Sequence, residues 1–241
     1  YMFQAFRDAA EIMRLLQDPE KEREYADEAS AIAQAVRGGF WEPELRLFVD
    51  RLRSEVPDTE PSLHANTLPM LYGIATGEQE KTALPFVMEW MKNNFRCDNP
   101  TENRDCNVTS YFSFHPLRVL CSRGKTREAE DFIRTYWGRY IDHGAANTWE
   151  YFVDRCSRCH AWSTSPVHFF AHEVLGVRFP EPGNPDRITV APGETSLEWA
   201  EGVYPHERGP IRVSWTRRNG EVDLHVEVPA GVELGKPSRR G

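Results

Sequence analysis

The sequence has no apolar run long enough to cross a membrane as a helix, which removes a helical membrane anchor from the readings. Clustered basic charge is also scarce. Twenty-nine Lys and Arg stand against 37 Asp and Glu, for a net charge of -8, and the only basic cluster is the C-terminal KPSRRG. Phosphate backbones need such clusters, so a nucleic-acid partner is disfavoured. Cysteine is sparse and odd in number: Cys97, Cys106, Cys121, Cys156 and Cys159. Scattered like this, they do not build a disulfide framework, and they read as mostly free thiols. A signal peptide is lacking too. YMFQAFRDAAEIMRLLQ carries acidic residues and no small-residue cleavage pattern. It opens in mid-helix with no capping residue and no initiator Met, so the chain reads as an excerpt from a longer protein. Its compartment, cytoplasmic or secreted, is therefore open.

What is present begins with aromatic bulk: seven Trp, eight Tyr and thirteen Phe. Some of it builds a core, and a surplus also suits a site that stacks flat ligands such as sugar rings. Helical periodicity covers most of the chain. Phe6, Ala9, Met13 and Leu16 share one face, and Asp18-Pro19 stops the run. Tyr25, Ala29, Ile32 and Val36 repeat the pattern up to Gly38-Gly39. ELRLFVD alternates as a short strand or extended loop. A second helical pair follows in SLHANTLPMLYGIA and TALPFVMEWMKNNF, then a polar loop, RCDNPTENRDCN. The third pair is VTSYFSFHPLRVLCSRG with TREAEDFIRTYWGRY, and SPVHFFAHEVLG forms a seventh helix.

At about residue 180 the pattern changes to short alternating runs after the turn-rich FPEPGNPD. Asn219-Gly220 between two such runs is the strongest short hairpin signal in the chain. The domains expected are therefore residues 1–179, mainly α, and residues 180–241, a small antiparallel β module.

CSRCHAWS, residues 156–163, contains the Cys-x-x-Cys-His of covalent haem attachment. Its surroundings, WEYFVDR and AWSTSP within helical hairpins, supply no second axial ligand or small cytochrome frame. Cys156, Cys159 and His160 could give a zinc ion three ligands, but no second knuckle provides a fourth. His160 beside Cys159 cannot act as its base, because adjacent side chains on an extended chain point apart. No cofactor or metal is expected. His168 and His172, four residues apart on one helix, lack an acidic partner for a metal and read as a packed or solvated pair.

HGAANTWEYF places a carboxylate, Glu150, beside an indole, Trp149, after a run of small residues. A Glu among aromatics is poorly solvated and suits acid–base work, although a capping or salt-bridged Glu is the plainer alternative. His64 and Asn66 in SLHAN stand at the head of a helix, where sugar contact and helix capping compete. Tyr111 could form a stacking platform or pack in the core. Trp199 and Trp215 alternate with polar residues in the β module, mostly for packing, with carbohydrate binding as the alternative.

Taken in order, the small-residue loop, TWE, CHAWSTSP, VLGVRFPEPG and ITVAPGETSLEWAEGVYPHERGPIRVSW resemble the C-terminal half of bacterial α-L-rhamnosidases. The resemblance runs over about residues 1–235 and is strongest from Tyr111 to Trp215. It implies helical hairpins forming part of an (α/α)6 toroid, closed by a β-sandwich. It implies inverting hydrolysis of terminal α-L-rhamnosyl linkages without a metal, acting on a rhamnose-containing oligosaccharide or glycoside. On that resemblance Glu150 is the general base, His160 lines the sugar subsite, and Trp149 and Trp162 wall it. The general acid of such enzymes lies in an acidic stretch with an Arg and a Trp, and no such stretch is found. Glu102, Arg104 and Asp105 are acidic overall but fall in a loop of the other half. The chain is thus expected to be inactive alone, with the missing N-terminal half of the toroid as its partner. The rival reading is a non-catalytic carbohydrate-binding or scaffolding protein.

Overall fold

The computed structural model describes residues 1–50, 61–93, 109–152 and 156–236. Cys97, Cys106, the Glu102, Arg104 and Asp105 stretch, and most of the basic tail lie outside the described residues. The chain divides into two compact units, Tyr1–Asn94 and Phe95–Gly241.

In the first unit, α1 (Met2–Leu15) packs on α2 (Pro19–Gly39). Gln17 turns the chain with φ 60°. Asp18 caps α2 by accepting from the Lys21 N–H at 3.1 Å, Pro19 opens the helix, and Glu20 and Glu22 complement its dipole. Phe3, Ala29, Ala33 and Ile74 form the buried seam. The expected ELRLFVD strand is short: β2 (Leu47–Phe48) pairs with β1 (Trp41–Glu42). Then α3 (Leu63–Leu71) packs on α4 (Gly77–Asn93). The α4 helix starts five residues before the expected Thr82. Thr76 and Gln79 form a capping box there, with Gln79 N–H to Thr76 Oγ1 at 3.3 Å and Thr76 N–H to Gln79 Oε1 at 2.9 Å.

In the second unit, α5 (Phe114–Ser122) packs on α6 (Thr126–Asp142). The sequence pattern runs the first of these back to residue 108, but Thr109 and Ser110 divert their hydroxyls. Thr109 Oγ1 accepts from the Phe112 N–H at 3.1 Å, which holds a turn instead. The expected seventh helix is a compound one: a 3-10 turn at Ala161–Ser163, α7 (Ser165–Phe169), and a π turn at Phe170–Val174.

Among the described residues of this unit, strands begin at Val177. β3 (Val177–Arg178), β4 (Arg187–Val190) and β8 (Glu233–Gly235) form one sheet, in which β4 and β8 run parallel. β5 (Trp199–Tyr204), β6 (Ile211–Arg218) and β7 (Glu221–Glu227) form an antiparallel one. The Asn219-Gly220 hairpin forms as expected, with both residues left-handed at φ 53° and 85°. Gly176 joins helix to strand at φ 82°, and a Cβ there would sit 2.3 Å from the Ala191 backbone, so only glycine fits. Strands and helices are tied together inside this unit. Trp215 Nε1 donates to the Val174 carbonyl at 2.8 Å, and Glu130 of α6 accepts from the Ser196 N–H and hydroxyl, each at 2.6 Å. Among the described residues no helix is long and apolar enough to cross a membrane.

Candidate functional site

Glu150 stands on a loop that leaves the end of α6 and doubles back at residues 157–160. Backbone bonds close it: Glu150 N–H to Ser157 O at 2.9 Å and His160 N–H to Thr148 O at 2.9 Å. The Thr148 hydroxyl donates to the His160 carbonyl at 2.6 Å. The outer arm is pinned from beneath. Ser110 Oγ lies 2.6 Å from the Trp149 carbonyl and 2.6 Å from the Ser163 hydroxyl, and the Ser110 N–H donates to the Glu150 carbonyl at 3.1 Å. With a single proton on Ser110 Oγ, the Ser163 hydroxyl serves as donor to it while Ser110 donates to the carbonyl. The Tyr140 hydroxyl reaches the Tyr151 carbonyl at 3.1 Å. Burial pushes that phenol well above its ordinary range, so it stays a donor.

These anchors leave the Glu150 side chain 35% exposed, with Oε2 3.9 Å from His160 Nε2. That is too long for a hydrogen bond and close enough to attract an imidazolium. The His160 ring lies against the Trp162 indole at 4.5 Å between centroids. Trp162 is exposed and meets the edge of Tyr111, also exposed, at 6.5 Å. His160 Nδ1 is buried without a hydrogen-bond partner among the described residues. The structure therefore brings together four of the expected residues: Glu150, His160, Trp162 and Tyr111.

Of the other three, Trp149 belongs to the same loop but is buried, and His64 and Asn66 belong to the first unit. Trp149 is turned inward. It is 3% exposed, with Tyr140 at 4.9 Å and the Arg158 guanidinium over its ring at 5.0 Å, so its role is to support the loop. Asn66 is turned inward as well. It is fully buried, taking the Phe48 N–H and donating to the Phe48 and Ser62 carbonyls, each at 2.9 Å. A side-chain amide with those partners fixes β2 to α3. His64 is half-buried in the same unit. Burial pushes its pKa down, partly opposed by Asp50. Ser62, not Asn66, caps α3.

Two grooves flank the four residues. One, of about 810 Å³, runs between α6 and α7 past Ile141, Thr148, His160 and Phe170. The other, of about 920 Å³, is bordered by Tyr111, Trp162, His168, His172 and Tyr204. Glu150 lines neither. In the second groove His168 and His172 stack at 3.9 Å. Burial, then the neighbouring His172, Arg118 and Arg178, lowers His168 to about 4. Among the described residues no three His, Cys, Asp or Glu side chains gather to hold a metal. Cys156 Sγ turns instead to the Tyr151 carbonyl at 3.7 Å.

Sequence reading missed Ser110, Tyr140, Thr148 and Ser163, which hold the loop. Thr148 and Ser163 stand inside motifs, TWE and CHAWSTSP, but nothing in those motifs marks them as anchors. Ser110 acts on residues 39 and 53 positions away, and nothing local marks it.

Comparison with known proteins places these features. Residues 176–235 match the bacterial α-L-rhamnosidase C-terminal domain. Residues 1–118 match the mannosylglycerate hydrolase MGH1-like glycoside hydrolase domain. An α-L-rhamnosidase of Alteromonas sp. (strain LOR) is 31% identical over 149 residues, which is 54% of this chain and 16% of that protein. Among solved structures, the α-L-rhamnosidase from Dictyoglumus thermophilum superposes with a TM-score of 0.79 at 20% identity, over 97% of this chain and 26% of its own. The GH78 family rhamnosidase of Bacillus sp. GL1 does so at 0.79 and 24% identity, over 98% of this chain and 25% of its own. The Streptomyces avermitilis α-L-rhamnosidase complexed with L-rhamnose follows at 0.75 and 16% identity, over 97% of this chain and 22% of its own. The chain thus spans about a quarter of the length of these solved structures. Helical hairpins of a toroid followed by a β-sandwich are the fold it shares with them.

Proposed function

Since the chain is similar in sequence and fold to the C-terminal portion of bacterial α-L-rhamnosidases, a glycoside hydrolase family, we propose that it supplies the base side of an inverting rhamnosidase site. Inversion needs one carboxylate to deprotonate water beneath the anomeric carbon and another group to protonate the leaving oxygen on the opposite side. Glu150 suits the first task. Its backbone is fixed by Ser110 and by the Ser157 carbonyl, while its carboxylate stays open to solvent. His160 Nε2 would take a sugar hydroxyl, with Trp162 and Tyr111 as the adjoining wall. The observation that carries this reading is the 3.9 Å approach of Glu150 to His160 beside an exposed Trp162.

The second half of the reaction needs a general acid, and the sequence has no acidic stretch of the kind that the resemblance calls for. We therefore place the acid on a partner, the remainder of such a toroid. The exposed apolar side chains Ile141, Val167 and Phe170 along the α6–α7 groove suit a helical neighbour. The substrate class is a rhamnose-containing glycoside.

An aryl α-L-rhamnoside assay tests both parts. The chain alone should release no aglycone, and adding the first-half segment of a related enzyme should restore turnover that Glu150→Gln removes. Turnover by the chain alone, lost in Glu150→Gln, would sink the missing-acid argument. Tight rhamnose binding with no turnover in either arrangement would favour the non-catalytic alternative.

A further inference from the structure

The outward face of the β5–β6–β7 sheet carries a second candidate site, far along the chain from Glu150. Strand register puts Trp199 opposite Thr216, Glu201 opposite Ser214 and then His225, and Arg212 opposite Glu227. Successive side chains alternate between faces of a strand, so these residues share one surface. The opposite face packs inward through Ile211, Val213 and Trp215, all buried. On the outward surface Trp199 is 66% exposed. It borders a hollow of about 430 Å³ lined also by Glu201, Ser214, Arg212, His225 and Glu227.

The chemistry of this surface selects its occupant. A protein interface would present a contiguous apolar patch with its charges at the rim. Here one indole and one exposed valine, Val203, stand among polar groups. A nucleic acid would need basic residues, yet the hollow holds two carboxylates against one guanidinium. A sugar offers an apolar C–H face and a rim of hydroxyls. One flat aromatic with donors and acceptors around it matches that pattern. Neighbouring strands lie about 5 Å apart and same-face residues about 7 Å apart along a strand, so these groups can reach around a sugar ring placed on the indole. The excess of carboxylate disfavours uronic acids, which leaves neutral sugars.

We propose that this face is a carbohydrate-binding site for neutral pyranosides, with Trp199 as the stacking platform and Arg212, Ser214 and Glu201 as hydroxyl partners. The hollow shares Glu201, Gly202 and Val203 with the groove bordered by Trp162, but Glu150, His160, Trp162 and Tyr111 do not line it, and the proposal does not depend on reading their loop as catalytic.

The test is an NMR titration of the whole chain, following the indole Nε1–H signals. Methyl α-L-rhamnopyranoside and neutral gluco- and manno-oligosaccharides serve as probes. The signal absent from Trp199→Ala identifies Trp199. It should shift saturably with at least one probe, and Arg212→Ala should weaken that response about tenfold. Glu150→Gln should leave it unchanged. Because both Trp199 and Arg212 are exposed, neither variant should alter the thermal transition, which is checked alongside. A Trp199 signal unmoved by every probe overturns the proposal. So does movement confined to the Trp162 signal, an outcome that would leave the Glu150 site standing.

Discussion

Thr148 and His160 hold each other twice: the His160 N–H donates to the Thr148 carbonyl at 2.9 Å, and the Thr148 hydroxyl donates to the His160 carbonyl at 2.6 Å. This clasp brings two residues twelve positions apart together at the neck of the loop and so sets the imidazole beside Glu150. Thr148→Val keeps the side-chain shape and removes one of the two bonds. The expected cost is about 1 kcal/mol in chemical denaturation, with faster amide exchange at His160. Unchanged exchange there would mean that the loop is held by Ser110 and Tyr140 alone.

Glu130 links α6 to the β segment through Ser196 and also pairs with Arg134 at 2.6 Å. Burial works to raise its pKa, but the bonds from Ser196 and Arg134 prevail and hold it below the ordinary 4.5. The unfolded chain therefore takes up the proton first as pH falls. This contribution to stability is complete above about pH 4.5 and is lost as pH drops through the lowered value. Glu130→Gln should flatten that acid limb in urea unfolding. It should also destabilise the chain by about 2–3 kcal/mol at neutral pH, because the amide sets a donor against the Ser196 N–H.

The stacked His168 and His172 act on stability in the same direction, at higher pH. His168 falls from the ordinary 6.5 to about 4 chiefly through burial, and His172 is lowered for the same first reason. Arg118 and Arg178 face the pair and add to the shift, while Glu173 opposes it at His172. Their contribution is complete above pH 6.5 and is lost as pH falls from there to about 4, where the folded state also protonates. His168→Phe keeps a flat ring and should reduce this slope, leaving the share that His172 contributes through its own burial. A His168 imidazole, assigned by its absence from His168→Phe, that titrates near 6.5 by NMR in the native chain would refute the account.

CSRCHAWS should bind neither haem nor zinc. His160 Nε2 faces Glu150 and Cys156 Sγ faces the Tyr151 carbonyl, so their donor atoms do not converge. Purified chain should show no Soret band and substoichiometric zinc by elemental analysis. Stoichiometric zinc, released with loss of the fold by a chelator, would reverse this.

The helical hairpins were legible because an amphipathic helix writes its buried face into residue spacing. Of the faces read from that spacing, Ala29 is in the core with Phe6, Ile32 and Val36 packed against it, while Leu16 at the end of the first is exposed. The Asn219-Gly220 turn was legible because few residue pairs tolerate two consecutive left-handed conformations. Helix ends were less so. The Thr76–Gln79 box is a local signal that periodicity alone overlooks, and the early residues of the 108–124 pattern are turned by hydroxyls that also serve a distant loop.

By itself, then, the sequence determined the order of helices and strands, the hairpin turn, and the motifs in which Glu150, His160 and Trp162 stand. Periodicity and turn chemistry are local, acting over a few residues. Only the tertiary structure decided which side chains face outward. It turned Trp149 and Asn66 inward, set His160 against Trp162, and left Trp199 open on a polar sheet face. Exposure depends on what packs from far along the chain, as Ser110 does beneath Glu150, and no window of neighbouring residues contains that information.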